Sequence, residues 1–269
     1  MTYPRPSGVI RLALGVFMLI GITACATSPT GQPQLQFFPE DQMAEMGQAA
    51  YQEIKQNTPV SQDAGLNQYV QCVAQAITRI VAPDTSWEVT VFQDKAANAF
   101  ALPGGKIGVN TGLLEVATNP HQLATVIGHE IAHVQAHHGN ARMSASYATQ
   151  AGLTLAQVLA GASSPEKQQL IGLLGAGAQV GVLLPYGRSQ ESEADRLGLE
   201  YMARAGFDPQ ESVNLWRNMS ETSGSQPPEF LSTHPAHGTR IQQLEAQMPT
   251  ALNLYRQAQA QGKTPNCKS

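Results

Sequence analysis

The chain is 269 residues long, 13% of them charged, with a formal net charge of −4. There is no basic run and no aromatic platform, which speaks against a nucleic-acid binder. The length allows one domain of ordinary size after processing. Gly and Ala are abundant, as suits closely packed helices, though they could equally soften a loop.

Residues 1–24 read as a targeting device. Arg5 and Arg11 precede an uncharged run from Leu12 to Ala24. That run is too short to span a bilayer comfortably and right for the core of a signal peptide. It ends Ile22-Thr23-Ala24-Cys25, which resembles a bacterial lipobox with Ile where Leu is more usual. Cleavage before Cys25 would leave a lipid-modified N-terminus whose acyl chains hold the protein to a membrane. Ala26, where an Asp would resemble an inner-membrane retention signal, favours the outer membrane, facing the periplasm. An uncleaved anchor and an ordinary secretory signal are the competing readings. With Cys25 lipidated, Cys72 and Cys267 remain. In an oxidising periplasm they would form a disulfide pinning the C-terminal tail to an early helix, with two isolated thiols as the alternative.

Residues 25–39, rich in Pro, Thr, Gly and Gln, read as a tether ahead of a domain over 40–250 and a C-terminal helix and tail over 251–269. Helical periodicity runs from about Asp41 to Lys55 and from Asp63 to Val81. Trp87-Glu88-Val89-Thr90-Val91-Phe92 alternates as a strand does. Pro103-Gly104-Gly105 is turn chemistry, so 98–102 and 106–110 form a hairpin-like pair.

Then comes His129-Glu130-Ile131-Ala132-His133, with Asn119 as N-cap, Pro120 at the first helical position and Gly139 suited to the exit. Leu123, Val126, Ile127, Ile131 and Val134 supply an apolar stripe. Residues four apart on a helix lie one above the other, so His129 and His133 can reach one metal ion, and Glu130 on the flank can serve a metal-bound water as base. His137 lies about 12 Å along the axis from His129. It and His138 read as last-turn histidines favoured by the helix dipole. A tetrahedral catalytic zinc still needs a third protein ligand.

Residues 143–187, rich in Ala, Gly and Leu and broken at Ser163-Ser164-Pro165, read as two core helices rather than membrane spans, with a mobile lid as another reading. In Arg188 to Gly198, Glu191 and Asp195 share a helix face while Glu193 points roughly 200° away from Glu191. A carboxylate on the metal with a second one turn later, orienting a ligand histidine, is sound metal-site construction. An acidic solvated face paired with Arg188 and Arg196 is the alternative. Phe207-Asp208-Pro209 starts another helix. After a linker-like stretch, Ser223 to Pro228, comes Thr233-His234-Pro235, with a last helix starting near Pro235.

His129-Glu130-x-x-His133 followed by Glu191-x-x-x-Asp195 resembles the M48 family of zinc metallopeptidases, and most of all its soluble periplasmic lipoprotein branch. Asn98 to Gly105 with Ile107-Gly108-Val109 resembles that family's substrate-binding edge strand, and Ser232 to Pro235, with Arg240 behind it, its His-Pro element. The similarity covers about residues 40–250. It implies a mostly helical α+β, zincin-like domain with a small sheet whose edge strand flanks the cleft, and one zinc ion per chain. By the resemblance Glu191, not Glu193, is the third ligand beside His129 and His133, with Asp195 and Arg240 behind, and Glu130 is the catalytic base. Asn98, Ala99, Phe100 and Ala101 would receive an extended, hence unfolded, polypeptide by strand addition; a merely structural hairpin is the alternative. His234 has three readings: oxyanion donor, occupant of the open zinc position, or cap of the last helix. His121 and His237 look ordinary. Expected partners are polypeptide substrates from damaged or misassembled envelope proteins, outer-membrane lipid through Cys25, and envelope assembly proteins. The rivals are a chaperone-like assembly factor with a gated, rarely catalytic site, and a zinc-stabilised lipoprotein scaffold.

Overall fold

A computed structural model describes residues 25–159, 187–222, 230, 232, 234 and 239–268. Residues 1–24, 160–186, most of the stretch between 223 and 238 with His237, and Ser269 lie outside the described residues. The chain divides into two compact units, residues 1–39 with 140–182 and residues 40–139 with 183–269.

In the first unit, residues 25–39 are more ordered than a tether. β1 (Cys25–Thr27) and β2 (Pro33–Leu35) pair antiparallel, with Cys25 opposite Leu35. The Ser28-to-Gln32 turn closes the pair, and Ser28 Oγ accepts the Gln32 N–H at 3.1 Å. The turn residues that suggested a linker make this hairpin instead. The Phe37 N–H then donates to Ser144 Oγ at 2.8 Å, and Tyr147 meets Phe37 and Phe38 edge-on.

In the second unit, α1 (Glu40–Asn57) and α2 (Ala64–Val81) lead into a sheet of β3 (Glu88–Phe92), β4 (Ala99–Leu102) and β5 (Lys106–Asn110). Asp63 caps α2 by accepting the Leu66 N–H, the side-chain capture that stops an N-terminus from fraying. Gly104 and Gly105, at φ 81° and 74°, supply the left-handed turn that folds β4 back on β5. The strand order is β3-β5-β4, with β3 parallel and β4 antiparallel to β5. The outer side of β3 is covered by residues 59–61: the Ser61 N–H donates to Val91 O, and the Gln93 N–H to Pro59 O. Among the described residues β4 is therefore the edge that no further strand pairs with.

After α3 (Leu113–Val116) comes α4 (Pro120–Gln135), against which α2, β4 and α6 (Arg188–Arg204) pack. Leu123, Ile127 and Ile131 are fully buried with Ile77, Ile107 and Met202. α7 (Gln210–Thr222) and α8 (Arg240–Ala260) complete the unit. The tail after α8 is tied to α2 by the Cys72–Cys267 disulfide, with Cα atoms 5.6 Å apart.

Two boundaries differ from the sequence expectation. α4 leaves its axis at His137, which takes the left-handed φ of 54°, not at Gly139, which belongs to the first turn of α5 (His138–Leu159). The last described helix begins at Arg240, five residues beyond Pro235. Among the described residues, no helix is long and apolar enough to cross a membrane.

Candidate metal centre

α4 forms because its N-terminus is fully capped. Asn119 Oδ1 accepts the N–H groups of His121 and Gln122 at 3.0 Å each, and Pro120 stands where no N–H is needed. Glu211 on α7 holds this start in place, taking the side-chain amides of Asn119 and Gln122 at 2.8 Å. Burial would raise the Glu211 carboxyl, but those amides and that of Asn214 hold it below its usual value.

One turn apart on α4, His129 and His133 turn their Nε2 atoms to within 3.0 Å of each other, both buried. α6 crosses close by, because glycines meet at the contact. A Cβ at Gly198 would stand 2.7 Å from the His129 backbone nitrogen, and one at Gly128 would stand 2.9 Å from Gly198 O. That approach brings Glu191 to the two histidines: Oε2 lies 3.4 Å from His129 Nε2, and Oε1 lies 3.4 Å from His133 Nε2. His234 completes the group, with Nδ1 3.2 Å from His129 Nε2 and 3.0 Å from Glu191 Oε1. Phe230 stacks on the His234 ring at 4.5 Å between centroids.

These four donors lie within 4.8 Å of one another. Ligand atoms on a tetrahedral zinc with bonds of about 2.0–2.1 Å are about 3.3 Å apart. The five separations of 3.0–3.4 Å, taken to whichever Glu191 oxygen is nearer, are close to that edge length. Bare imidazole nitrogens so close can share only one proton, so the set of three imidazoles and a carboxylate fits zinc by geometry and by ligand type.

The surrounding groups fix the ligands. Asp195 Oδ1 lies 3.0 Å from His129 Nδ1, and Arg240 Nη2 donates to Asp195 at 2.6 Å and to Glu191 Oε2 at 3.1 Å. The Arg240 guanidinium lies 3.7 Å over the Trp216 ring. Burial works to lower the His129 value, but bonds to Asp195 and Glu191 win and push it up to about 9. Burial raises Glu191 and Asp195. The three histidines around Glu191, and Arg240 with His129 at Asp195, overcome that and hold both carboxyls low. Burial lowers His133 well below its usual value. It raises Glu130, whose carboxylate also accepts the Ala101 N–H of β4 and lies 3.4 Å from His234 Nε2.

Ala101 thus reaches the centre through its backbone. Asn98 Oδ1 accepts the Ala99 N–H at 3.0 Å, and the Phe100 ring packs over Gly108 among Tyr51 and Phe92. The half-buried Phe100 side chain therefore packs on the α1 face of the sheet. Cys25 stands in β1. His137 lies beside Glu40, and His121 Nδ1 accepts the Asp208 N–H.

Two residues had been assigned elsewhere. His138, expected only to favour the helix dipole, is buried with Nδ1 2.9 Å from His133 Nδ1. Glu193, on the far side of α6 from Glu191, reaches His138 Nε2 at 3.2 Å. A position five beyond His133 shares no helix face with it, so only the turn at His137 could have betrayed the contact.

The model of peptidase family M48 matches residues 61–248. The chain is 33% identical over 228 residues to the mitochondrial metalloendopeptidase OMA1 of Schizosaccharomyces pombe, covering 82% of this chain and 64% of that protein. It is 38% identical over 181 residues to the mitochondrial metalloendopeptidase OMA1 of Saccharomyces cerevisiae, with 64% and 50% covered. It is 32% identical over 210 residues to the beta-barrel assembly-enhancing protease of Yersinia pestis, with 75% and 43% covered. The chain thus spans less than two thirds of each of these relatives. A family match across most of the domain coincides with a four-donor site built on the two histidines of α4 and Glu191 of α6, and the chain belongs to peptidase family M48.

Proposed function

We propose that this chain is a zinc-dependent endopeptidase that cleaves unfolded or misassembled envelope proteins at the periplasmic face of the outer membrane, anchored by lipid on Cys25. The observation that carries the peptidase reading is Glu130. It is buried, raised above the ordinary carboxyl value by that burial, and set beside the donor cluster. A purely structural metal site has no use for such a base. The metalloendopeptidase and protease names of the relatives support the same reading, and the lipobox-like Ile22 to Cys25 with the Cys72–Cys267 disulfide supports an oxidising, membrane-bound setting.

His129, His133 and Glu191 hold the metal. Bound zinc supplies a Lewis acid for the scissile carbonyl and makes water acidic enough to ionise near neutrality. The Glu130 carboxylate takes the proton from the attacking water and hands it to the leaving amine. The open edge of β4 receives an extended substrate through backbone hydrogen bonds, which tolerates many side chains. His234 fills the fourth donor place in this closed arrangement, so substrate entry requires its ring to leave, after which it can donate to the oxyanion.

The four-donor closure also favours a second reading, an assembly factor whose gated site rarely cleaves. Zinc content and casein cleavage of the mature protein separate the two, compared with Glu130→Gln and His234→Ala. The expected result is one zinc in all three. Cleavage should fall by about 10²–10⁴ in the Glu130 variant, as for loss of a general base, and rise in the His234 variant. Zinc without cleavage in both the wild type and His234→Ala would move the assignment to the assembly factor.

A further inference from the structure

We propose that His138 and Glu193 form a positioning relay that fixes the ring and tautomer of His133 at the metal centre, an inference that deepens the metallopeptidase reading and rests on it. The two ligand histidines of α4 are supported differently. His129 has a carboxylate, Asp195, 3.0 Å from its Nδ1. At His133 an imidazole stands in the corresponding place: His138 Nδ1 is 2.9 Å from His133 Nδ1, and His138 Nε2 is 3.2 Å from Glu193 Oε2. All three side chains are buried, His133 to 1%, His138 to 0% and Glu193 to 3% exposure.

The proton positions then follow one from another. His133 meets the donor cluster through Nε2, so as a ligand it must carry its proton on Nδ1. Two nitrogens 2.9 Å apart share a single proton, so His138 Nδ1 is the bare acceptor. The His138 proton is therefore on Nε2, where it is donated to the Glu193 carboxylate. A flipped tautomer at His138 would set two N–H groups against each other and take the His138 donor away from the buried Glu193 carboxylate. Through the two rings, Glu193 also raises the basicity of His133, as a carboxylate behind a ligand histidine does.

The backbone arranges this on purpose-built ground. α4 ends at Gln135, His137 turns the chain at φ 54°, and His138 re-enters beneath His133 as the first residue of α5. Glu193 comes from α6, two residues from the ligand Glu191 and on a different face.

Nitrogen-15 NMR of the imidazoles in the zinc-loaded mature protein tests the relay without any substitution. The expected spectrum has His133 protonated at Nδ1 and His138 protonated at Nε2 alone. Zinc affinity, from competition with a chelating dye, gives a second readout. His138→Ala and Glu193→Ala should each weaken binding by about 10–100-fold. The double variant should bind no worse than His138→Ala, because Glu193 acts through that ring, and Glu193→Gln should regain most of the loss, since its amide oxygen still accepts. His138 protonated at Nδ1, Glu193→Ala within twofold of wild type, or losses that multiply in the double variant would overturn the relay. Neither readout needs cleavage. A protein with the expected tautomers that cleaves nothing, either as wild type or as His234→Ala, would sink the peptidase reading and leave the relay standing.

Discussion

Arg240 is the residue on which the buried charges converge. It donates to both Asp195 and Glu191, and its face lies on Trp216, while its Nε and Nη1 have no hydrogen-bond partner among the described residues. A planar guanidinium can bridge two carboxylates and stack at once, which an ammonium cannot. Removing one partner of a buried ionic network typically costs about 3–5 kcal/mol, because the other charges are left uncompensated. Arg240→Met should therefore destabilise the chelated protein by about that much. Zinc should recover part of the loss, since a cation on Glu191 replaces one of the two charges Arg240 answers. Urea unfolding with and without chelator measures both quantities, and an equal loss in the two conditions would show that Arg240 does not serve the metal ligands. At this scale the chemistry was legible where spacing encodes it. His129, Glu130 and His133 declare themselves by helical period; Glu191 and Asp195 share a face by theirs, but it was the family resemblance that made Glu191 the ligand. His138 and Glu193 did not, because their meeting depends on one left-handed residue and on how two helices cross.

The crossing of α4 and α6 decides whether the ligands meet at all. α6 carries a carboxylate ligand and its support, but they reach His129 and His133 only because Gly128 and Gly198 let the two backbones touch. Gly198→Ala puts a methyl 2.7 Å from the His129 nitrogen and 2.9 Å from the Gly128 carbonyl carbon, and backbone cannot turn aside as a side chain can. Overpacking of this kind costs about 1–3 kcal/mol, and here it pushes Glu191 away from the histidines. Zinc affinity should fall by more than tenfold along with stability. Gly152→Ala, on an exposed stretch of α5 with nothing within 4 Å of the added carbon, makes the control: it should gain up to about 1 kcal/mol from helix propensity alone. A Gly198→Ala protein that keeps wild-type zinc affinity would show that the helices can separate without loss at the centre. Periodicity located α2, which buries one face, whereas α4 is buried all round from Gln122 to His133 and was located by its caps and its histidine spacing; Pro-Gly-Gly located the β4–β5 turn. The parallel pairing of β3 with β5 was not legible, because it is set by packing on α2 and α4 rather than by any pattern within the strands.

For the whole chain, the largest constraint is covalent. The Cys72–Cys267 bond spans 195 residues and ties the tail beyond α8 to α2. On its way the tail backbone at Lys263 lies directly on Gly206, at the exit of α6, where a side chain would collide with it. Cysteine count made the pair readable once Cys25 was set aside for lipid. The short β1–β2 pair was missed, since its turn chemistry is also that of a linker. Closing so long a loop stabilises chiefly by restricting the unfolded chain, by about 5 kcal/mol in the chain-entropy model, and measured losses for native disulfides are about 2–5 kcal/mol. A constraint on the unfolded ensemble leaves the folded site as it was, whereas a tail that positioned α6 would disturb Glu191. The double substitution Cys72→Ala with Cys267→Ala should therefore lower the unfolding free energy by about 2–5 kcal/mol, read from urea titration. Zinc affinity of the folded fraction should stay within threefold of wild type. Loss of zinc in step with stability would mean instead that the tail acts as a brace for α6, and that the bond shapes the native site as well as the unfolded chain.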